Sequence, residues 1–313
     1  MTKEFHQHHW SDFTADECKR LVEHALWEDQ KMTGDLTSAA LIPEDATGSA
    51  TVVARNAGVV AGLPAVLVLL EAVDAELEWV PLVSDGAVIQ KGDTIGVVSG
   101  PVRSILGAER LLLNLLGRLS GVATLTSQYV AVVAGTKASI YDTRKTTLGW
   151  RYLEKYAVKL GGGWNHRTGL FDAVLIKDNH LAFSSSGDQW HPFSSPAEAV
   201  HTAKNFVAKM IEYTSVAEPI LIEIEVDTLD QLAEVLPAKP DIVLLDNMSP
   251  DLLRQAVRTR NETAIDIQLE ASGGVNLQTV RAIAESGVER ISVGALTHSA
   301  TQLDFGLDWK TET

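Results

Sequence analysis

Three features are scarce in this chain, and each scarcity excludes a class of protein. A single cysteine, Cys18, rules out an intramolecular disulfide and fits the reducing cytosol, so we expect a cytoplasmic protein in which Cys18 is a packing residue. Lysine and arginine number 26 against 41 acidic residues, and the net charge of −15 argues against a nucleic-acid partner. No run approaches about 20 uninterrupted apolar residues, so no membrane span is expected.

The first ten residues are polar and carry three histidines. Met1–Trp10 has no apolar signal-peptide core, and the segment is therefore predicted to be a solvated tail. Metal binding by His6, His8 and His9 is the alternative interpretation.

Positive charge is concentrated in residues 103–177. This window holds eleven lysines and arginines and four acidic residues, so its net charge is +7 although the whole chain carries −15. An acidic protein with one basic window is arranged to focus anions into a local site. Arg151, Lys155 and Lys159 follow one another at helical spacing and fit a solvated helix face instead.

The first part of the chain predicts a separate α+β domain. Residues 14–30 have an amphipathic helical pattern, and short β-like runs separated by Asp-Gly and Lys-Gly-Asp turns fill residues 48–101. A long helical pattern covers residues 108–134, where Gly117 and Gly121 predict a break near residue 120. We place the domain boundary at that break.

Strand-length apolar runs alternate with helix-like segments in the second part. This alternation predicts right-handed βαβ units and a parallel sheet, either a closed or nearly closed barrel or an open doubly wound sheet. No Gly-x-Gly-x-x-Gly follows the first strand, which disfavours a dinucleotide-binding fold. In a barrel, functional groups lie at the carboxyl ends of the strands. Those ends carry Asp142, Lys177, Glu225, Asp246, Glu270 and Gly294.

Cationic side chains follow the first two of these strands. Arg144 and Lys145 come directly after the first strand, and Lys177 ends the second. His166 and Arg167 lie in the loop between them, which begins with three glycines that let the backbone approach a ligand. Two arginine forks can hold two carboxylates, so the set predicts a pocket for a polyanion, although any one cation could form a surface ion pair.

Carboxylates and glycine-rich loops follow the later strands. Glu225 and Asp246 end neighbouring strands and suit Mg²⁺ held jointly with substrate phosphates; a general acid–base pair and counter-ions for lysines are the alternatives. Glu223 alternates with Glu225, so both face the barrel interior or both face the helices. Loops at Ser272-Gly273-Gly274 and at Gly294 are placed to bind phosphate. The residues therefore predict a phosphorylated sugar, an anionic co-substrate and Mg²⁺.

Several sequence blocks carry a family resemblance. They are Glu109-Arg110, Asp142-Thr143-Arg144-Lys145-Thr146, Gly161-Gly162-Gly163, Asn165-His166-Arg167, Ile176-Lys177-Asp178-Asn179-His180, Glu223-Ile224-Glu225-Val226-Asp227, Asp246-Asn247, Glu270-Ala271-Ser272-Gly273-Gly274 and Gly294-Ala295-Leu296-Thr297-His298. In these blocks the chain resembles the quinolinate phosphoribosyltransferases, or carboxylating nicotinate-nucleotide pyrophosphorylases. The resemblance covers nearly the whole chain.

The resemblance implies an activity and an architecture. The activity is phosphoribosyl transfer from phosphoribosyl pyrophosphate to quinolinate with decarboxylation, which yields nicotinate mononucleotide, pyrophosphate and CO₂ for NAD biosynthesis. The architecture is an N-terminal α/β sandwich domain over residues 1–120, joined by the tail 301–313, and an incomplete TIM-like α/β barrel over residues 121–300. A homodimer is also implied, in which Arg110 of one subunit enters the active site of the other.

The resemblance assigns site residues as well. The family's quinolinate pocket maps onto Arg110, Arg144, His166, Arg167 and Lys177. Its phosphoribosyl pyrophosphate and Mg²⁺ region maps onto Lys145, Glu225, Asp246, Ser272, Gly273 and Gly294, with Thr143 and His298 nearby. Lys145, Glu225 and Asp246 are expected to be catalytic, and the two acids are expected to hold the metal directly or through water.

The chain departs from the family pattern at three places. Leu148 stands where the family often has proline, and Ala271 replaces a frequent serine. Phe183–Phe193 is longer than usual; it is interpreted as a solvated loop, with a surface or subunit contact as the alternative.

Three other functions fit part of the pattern. A lyase could use Lys177 as a Schiff base, but this leaves the arginine pair unexplained. A related phosphoribosyltransferase could act on a different ring acid. A non-catalytic metabolite-binding barrel could keep the cations but has no need for Glu225 and Asp246.

Overall fold

The chain forms two compact units. The computed structural model describes residues 4–186, 189–191, 193, 195–214, 220–263 and 266–309. The first unit comprises the chain up to Gln7, Tyr129–Arg144 and Trp164–Ala295. The second unit comprises His8–Gln128, Lys145–Gly163 and the chain from Leu296 onward. The boundary predicted at residue 120 stays a prediction.

The described helices and strands are numbered in chain order. The helices are α1 (Asp12–Gln30), α2 (Leu36–Leu41), α3 (Leu63–Val73), α4 (Val102–Val133), α5 (Arg151–Leu160), α6 (Asp178–Leu181), α7 (Pro196–Thr214), α8 (Leu229–Val235), α9 (Pro250–Thr263), α10 (Val280–Ala284) and α11 (Ala295–His298), with a 3₁₀ turn at Leu236–Ala238. The strands are β1 (Thr47–Ala54), β2 (Gly58–Val59), β3 (Glu78–Pro81), β4 (Val88–Ile89), β5 (Thr94–Pro101), β6 (Ser139–Tyr141), β7 (Val174–Ile176), β8 (Ser184–Ser186), β9 (Gln189–His191), β10 (Ile222–Val226), β11 (Ile242–Asp246), β12 (Gln268–Ser272), β13 (Arg290–Ser292) and β14 (Phe305–Trp309).

The second unit contains an antiparallel sheet with the strand order β14-β1-β5-β3. Helix α1 begins where the Ser11 hydroxyl accepts a hydrogen bond from the Thr14 backbone N–H, and it buries Thr14, Cys18 and Val22 at four-residue spacing. Burial raises the pKa of the Cys18 thiol to about 12. These features confirm the helix predicted over residues 14–30 and the packing role of Cys18.

Helix α4 runs without the break that was predicted near residue 120. An added Cβ at Gly121 would lie 2.1 Å from the Thr301 carbonyl oxygen, and one at Gly117 would lie 2.8 Å from the Leu303 carbonyl oxygen. The two glycines therefore leave room for the C-terminal segment to pack on the helix. The prediction was wrong because helix propensity, a weak local preference, is overridden by this packing.

The first unit contains a parallel sheet with the strand order β6-β13-β12-β11-β10-β7. The first strand, β6, pairs with the last, β13, which is the pairing that wraps a βα succession into a barrel. Strands β6 and β7 are the two edges, so the described sheet is open between them. The incomplete barrel and the separate antiparallel sheet confirm the predicted fold class, and all six predicted strands are present.

The expectations for the N-terminal segment and for Phe183–Phe193 have different outcomes. Phe5 is only 5% exposed and His8 only 6%, so the predicted solvated tail is wrong within the described residues. Part of Phe183–Phe193 forms an antiparallel hairpin of β8 and β9, while residues 187, 188 and 192 lie outside the described residues. Its interpretation as a solvated segment, with a surface or subunit contact as the alternative, stays a prediction.

Among the described helices, none combines the length and the apolarity that a membrane crossing requires.

We predict that Gly121→Ala destabilises the protein. The added methyl group would overlap the Thr301 carbonyl, so the free energy of unfolding should fall by about 2 kcal/mol in urea titrations. Gly107→Ala in the same helix is the matched control, because its Cβ would meet only the flexible end of Gln30 at 3.3 Å. The control should be neutral or stabilising by up to about 1 kcal/mol. Equal effects of the two substitutions would contradict the packing role of Gly121.

Candidate active site

The carboxyl ends of β7 and β10 carry an ion pair. Lys177 follows β7 directly, and its Nζ donates a hydrogen bond to Oε2 of Glu225. The Lys177 side chain is 40% exposed and the Glu225 side chain 14%. This lysine and this carboxylate are therefore brought together at a solvent-accessible edge of the parallel sheet, as the strand-end pattern predicted.

The neighbouring strand ends carry Asp246 and a glycine turn. Asp246 pairs in register with Ser272, and the Asn247 backbone N–H donates to the Ser272 carbonyl at 2.9 Å. Gly273 has φ +92, and a Cβ there would lie 2.2 Å from Oδ1 of Asn247. Glycine is therefore required at this position. Asp246 is partly exposed and accepts a hydrogen bond from Asn247 Nδ2 at 2.6 Å.

A second layer of charge is buried deeper in the sheet. Glu223 lies two residues before Glu225 on β10, so both side chains point to the same face of the strand, and Glu223 is fully buried. His166 Nε2 lies 3.0 Å from Oε2 of Glu223 and 3.4 Å from Oε1 of Glu270. Glu270 is also fully buried, in the middle of β12, and does not reach the carboxyl edge where it was predicted.

Arg290 neutralises the other side of Glu270. Its Nε donates to Oε2 of Glu270 at 3.1 Å, and its Nη1 donates to Glu4 Oε2 at 3.3 Å. The guanidinium carbon lies 3.7 Å from the centroid of the Tyr141 ring, a cation–π contact. Arg290 is fully buried, so its charge is held by these partners rather than by water.

These contacts shift the pKa values of the buried groups. Burial lowers the pKa of His166, but the charges of Glu223 and Glu270 outweigh it and raise the pKa to about 9. Burial raises the pKa of Glu270, whereas His166 and then Arg290 lower it, to about 2. Nδ1 of His166 lies 2.8 Å from the Arg167 backbone nitrogen, whose N–H donates to it. Protonation at Nδ1 therefore costs that hydrogen bond.

The two arginines of the predicted pocket interact electrostatically. Burial, and then the positive charge of Arg144, lower the pKa of Arg167. Arg167 is buried, and its Nη1 donates to the Ala173 carbonyl at 3.2 Å. The Nε of Arg144 is a buried donor without a hydrogen-bond partner among the described residues. Two guanidinium groups that act on each other electrostatically, one with such a donor, suit an anionic ligand.

The remaining predicted residues are divided between the two units. Thr143 and Gly294 belong to the first unit and are partly exposed. Arg110, Lys145 and His298 belong to the second unit and are exposed. The Lys145 carbonyl accepts a hydrogen bond from the Thr297 hydroxyl at 2.8 Å.

Arg110 lies on α4 and lines a cavity of about 340 Å³ together with Glu28, Asn114 and Trp150. No ion pair joins Arg110 to another of the residues that the structure describes.

Two interpretations of the basic window are corrected in the second unit. A Cβ at Gly161 would lie 2.4 Å from the Ala123 carbonyl, and one at Gly163 would lie 2.7 Å from Thr126 Cγ2, so these glycines allow the loop to pack on α4. Lys155 is fully buried, so the expected solvated face of Arg151, Lys155 and Lys159 is wrong for its central member.

The candidate metal ligands form two sets. Within the described part of the chain, His166, Glu223 and Glu270 are the group of three whose ligand atoms lie within 4.8 Å of one another. All three are buried, and Arg290 already opposes Glu270. Glu225 and Asp246 offer partly exposed carboxylates at adjacent strand ends, and oxygen donors of this kind are what Mg²⁺ prefers.

The sequence interpretation missed Arg290, Glu4, Phe5 and Gln7. A signal for Arg290 was available, because an arginine in a short apolar strand needs a buried partner. Glu270 and Arg290 are partners in the register of β12 and β13. The N-terminal residues gave no comparable signal, since a short polar segment carries no periodicity.

Comparisons with known proteins agree over almost the whole chain. The model of the quinolinate phosphoribosyl transferase C-terminal domain matches residues 122–308, and that of the N-terminal domain matches residues 35–120. A nicotinate-nucleotide pyrophosphorylase [carboxylating] from Mycobacterium leprae is 39% identical over 300 residues, which cover 95% of this chain and 99% of the relative. A probable nicotinate-nucleotide pyrophosphorylase [carboxylating] from Bacillus subtilis is 38% identical over 93% of this chain and 92% of its own length.

A solved structure has the same fold. The nicotinate-nucleotide pyrophosphorylase from Francisella tularensis superposes with a TM-score of 0.85 at 35% identity, covering 98% of this chain and 100% of that chain.

We predict that Glu223→Gln lowers the pKa of His166. Removing this charge leaves burial and the Arg167 N–H to favour the neutral ring, so the pKa should fall below about 9 when the ring signals are followed by NMR. A histidine with a raised pKa stabilises the fold below its unfolded pKa of about 6.5 and loses that contribution as the pH rises through about 9. Glu225→Gln on the same strand is the control, because Glu225 faces Lys177. Similar pKa changes in the two variants would argue against the Glu223–His166 contact.

Proposed function

The chain belongs to the quinolinate phosphoribosyltransferase family, and from this premise we propose how its residues bind and convert the substrates. The enzyme is a carboxylating nicotinate-nucleotide pyrophosphorylase. It transfers the phosphoribosyl group of phosphoribosyl pyrophosphate to quinolinate and releases pyrophosphate and CO₂, a step of NAD biosynthesis. The proposal rests on two charged contacts of β10. Glu225 forms an ion pair with Lys177 at the carboxyl edge of the sheet, and Glu223 contacts His166 below that edge.

Quinolinate is held by the cations of the first unit. Its two carboxylates match the two guanidinium groups of Arg144 and Arg167, and the buried Arg144 Nε would gain an acceptor. Lys177 adds a third positive charge. His166, fixed between Glu223 and Glu270, supplies a ring of defined orientation next to Arg167.

The phosphoribosyl group is held at the neighbouring strand ends. Backbone N–H groups at Ser272, Gly273 and Gly294 are suited to phosphate oxygens, since these turns precede helices or follow strands as phosphate loops do. Thr143, Lys145 and His298 complete the proposed set.

Glu225 and Asp246 fit a divalent ion because they are partly exposed carboxylates on neighbouring strands. Mg²⁺ bound there, directly or through water, would neutralise charge on the pyrophosphate.

The chain's residues then promote the reaction by position and charge. The bond between ribose C1 and the pyrophosphate oxygen breaks, and the pyridine nitrogen of quinolinate forms a bond to C1. Lys145 stabilises the departing pyrophosphate, while Glu225 and Asp246 stabilise positive charge that develops on the ribose. The 2-carboxylate then leaves as CO₂, its electron pair stays on the ring carbon, and that carbon takes up a proton. No covalent bond to the enzyme forms.

The contacts of Lys177 favour this mechanism over Schiff-base chemistry. A lysine that attacks a carbonyl needs its Nζ directed at that carbonyl. Lys177 Nζ is instead directed at the Glu225 carboxylate. A role as an anion-binding cation therefore agrees better with its surroundings than a role as a nucleophile.

The enzyme acts as a homodimer in this proposal, with Arg110 donated to the partner's site. The support is that Arg110 is exposed on a helix and has no ion pair among the described residues, so its guanidinium is available to an anion. A cytoplasmic location stays a prediction that rests on the single cysteine.

We predict that the purified protein forms nicotinate mononucleotide and CO₂ from quinolinate and phosphoribosyl pyrophosphate with Mg²⁺. Chromatography of the nucleotide and trapping of the CO₂ measure the two products. Nicotinate as the acceptor should give little product, because it lacks the second carboxylate that the arginine pair binds. Chelation of the metal with EDTA should abolish turnover, and added Mg²⁺ should restore it. Turnover of nicotinate without CO₂ release would favour a different ring acid as substrate.

We predict that two inactive variants complement each other if Arg110 crosses the dimer interface. Arg110→Ala and Lys177→Ala subunits are denatured, mixed in equal amounts and refolded. Half of the dimers should be mixed, and each mixed dimer should contain one intact site, so about a quarter of the wild-type activity should return. Each variant refolded alone is the control. No recovery in the mixture would mean that Arg110 serves its own subunit or another purpose.

A further inference from the structure

Residues Glu4–Gln7, which we call the N-terminal strap, lie at the open edge of the parallel sheet. The backbone of Trp164 extends this edge: its N–H donates to the Ile140 carbonyl at 2.8 Å, and its carbonyl accepts from the Asp142 N–H at 3.0 Å. Because the hydrogen-bonding groups of successive residues in an extended segment point to opposite sides, those of Asn165 point away from β6. In a closed barrel another strand would satisfy them.

The side chain of Gln7 takes the place of that strand. Its Oε1 accepts from the Asn165 backbone N–H at 2.9 Å, and its Nε2 donates to the Asn165 carbonyl at 3.1 Å. This pair of hydrogen bonds reproduces the pairing between neighbouring strands. Nε2 also donates to the Phe5 carbonyl at 2.9 Å, which fixes the strap itself. The segment that carries His166 and Arg167 is therefore held on both sides.

Phe5 supports the next residue along that segment. Its ring stacks on the His166 ring with the centroids 4.3 Å apart and the planes 29° from parallel. Phe5 also belongs to a buried hydrophobic cluster with Ala173, Leu221 and Ile242, which lie at the amino ends of β7, β10 and β11. The guanidinium carbon of Arg290 lies 5.0 Å from the centroid of the Phe5 ring. Phe5 therefore supports His166 from the side opposite to the carboxyl edge of the sheet.

Glu4 anchors the strap to the buried charge cluster. Its carboxylate accepts from the Tyr141 hydroxyl at 2.9 Å and from Arg290 at 3.3 Å. The His166 side chain is held in two directions: its ring face lies against Phe5, and its Nε2 lies near the carboxylates of Glu223 and Glu270.

We infer that the strap is a positioning element for the quinolinate pocket, with Phe5 and Gln7 as its positioning residues. Neither residue touches substrate; they act through His166 and Arg167, so the inference rests on the proposed function of that pair. Gln7 sets the path of the backbone at Asn165, and Phe5 sets the orientation of the imidazole. Quinolinate affinity therefore depends on Gln7 and Phe5. The turns at Ser272, Gly273 and Gly294 that are proposed for phosphoribosyl pyrophosphate lie at the opposite, carboxyl ends of β12 and β13, so affinity for that substrate should depend on them far less.

The test compares Gln7→Met, which keeps the length of the side chain but removes its two hydrogen bonds to Asn165 and its one to Phe5, with the wild-type protein. The dissociation constant for quinolinate, measured by calorimetry, should rise about five- to tenfold, as expected for the loss of hydrogen bonds that hold the binding residues. The dissociation constant for phosphoribosyl pyrophosphate should stay within about twofold. Phe5→Leu keeps an apolar contact with Ala173, Leu221 and Ile242 but removes the stacked ring, and it should act in the same direction.

His9→Ala is the matched control, because His9 is an exposed residue of the same N-terminal segment. It should leave both dissociation constants and the melting temperature unchanged. A parallel loss of affinity for both substrates in Gln7→Met, together with a lowered melting temperature, would mean that Gln7 only stabilises the fold and would overturn the inference.

A second measurement separates the inference from the proposed function. The ring signals of His166 are compared by NMR in the wild type and in Gln7→Met. If the wild type does not bind quinolinate, the proposed function fails, but a shift or splitting of the His166 signals in the variant still supports positioning by the strap. Unchanged His166 signals together with unchanged quinolinate affinity overturn it.

Discussion

The first unit depends on the neutralisation of two carboxylates that its parallel sheet buries. Glu223 and Glu270 have no exposure, and the cations that oppose them are His166 and Arg290. A buried charge without a partner costs several kcal/mol, so removing any one member would leave another uncompensated. The four side chains come from β10, β12, β13 and the loop between α5 and β7. The cluster therefore constrains which strands adjoin and where that loop runs.

The same constraint organises the site through the alternation of side chains along β10. Glu223 and Glu225 share one face of the strand, so fixing Glu223 in the buried cluster also fixes Glu225 at the carboxyl edge, beside Lys177. His166 links the buried charge cluster to the proposed quinolinate pocket, because it belongs to the cluster and the next residue, Arg167, is one of the cations of the pocket. The strap joins this system from outside the sheet: Glu4 reaches Arg290, Phe5 reaches His166 and Gln7 reaches the Asn165 backbone. The groups proposed to bind substrate are thus carried on a charge network that is itself structural.

The errors of the sequence interpretation have a common physical origin. Gly117 and Gly121 weaken a helix locally, but the carbonyl groups that need their space belong to residues 301–303, about 180 positions later in the chain. Lys155 has the spacing of a solvated helix face and is nonetheless buried. The polar N-terminal segment has no pattern that would mark Phe5 as a core residue. For the two glycines and for Phe5, the deciding contact is with a residue distant in the chain.

The amino-acid sequence by itself determined the elements with strong periodicity, the family and the types of side chain at the strand ends. Apolar runs of strand length that alternate with helices are compatible with few folds other than a parallel α/β sheet. Sequence blocks such as Asp142-Thr143-Arg144-Lys145 are specific to the family. Only the tertiary structure decided that Glu270 and His166 lie below the carboxyl edge, that Arg290 opposes Glu270, and that Glu4–Gln7 reach the open side of the sheet. These outcomes depend on burial and charge pairing between residues up to 286 positions apart, and the sequence pattern contains no record of distance in space.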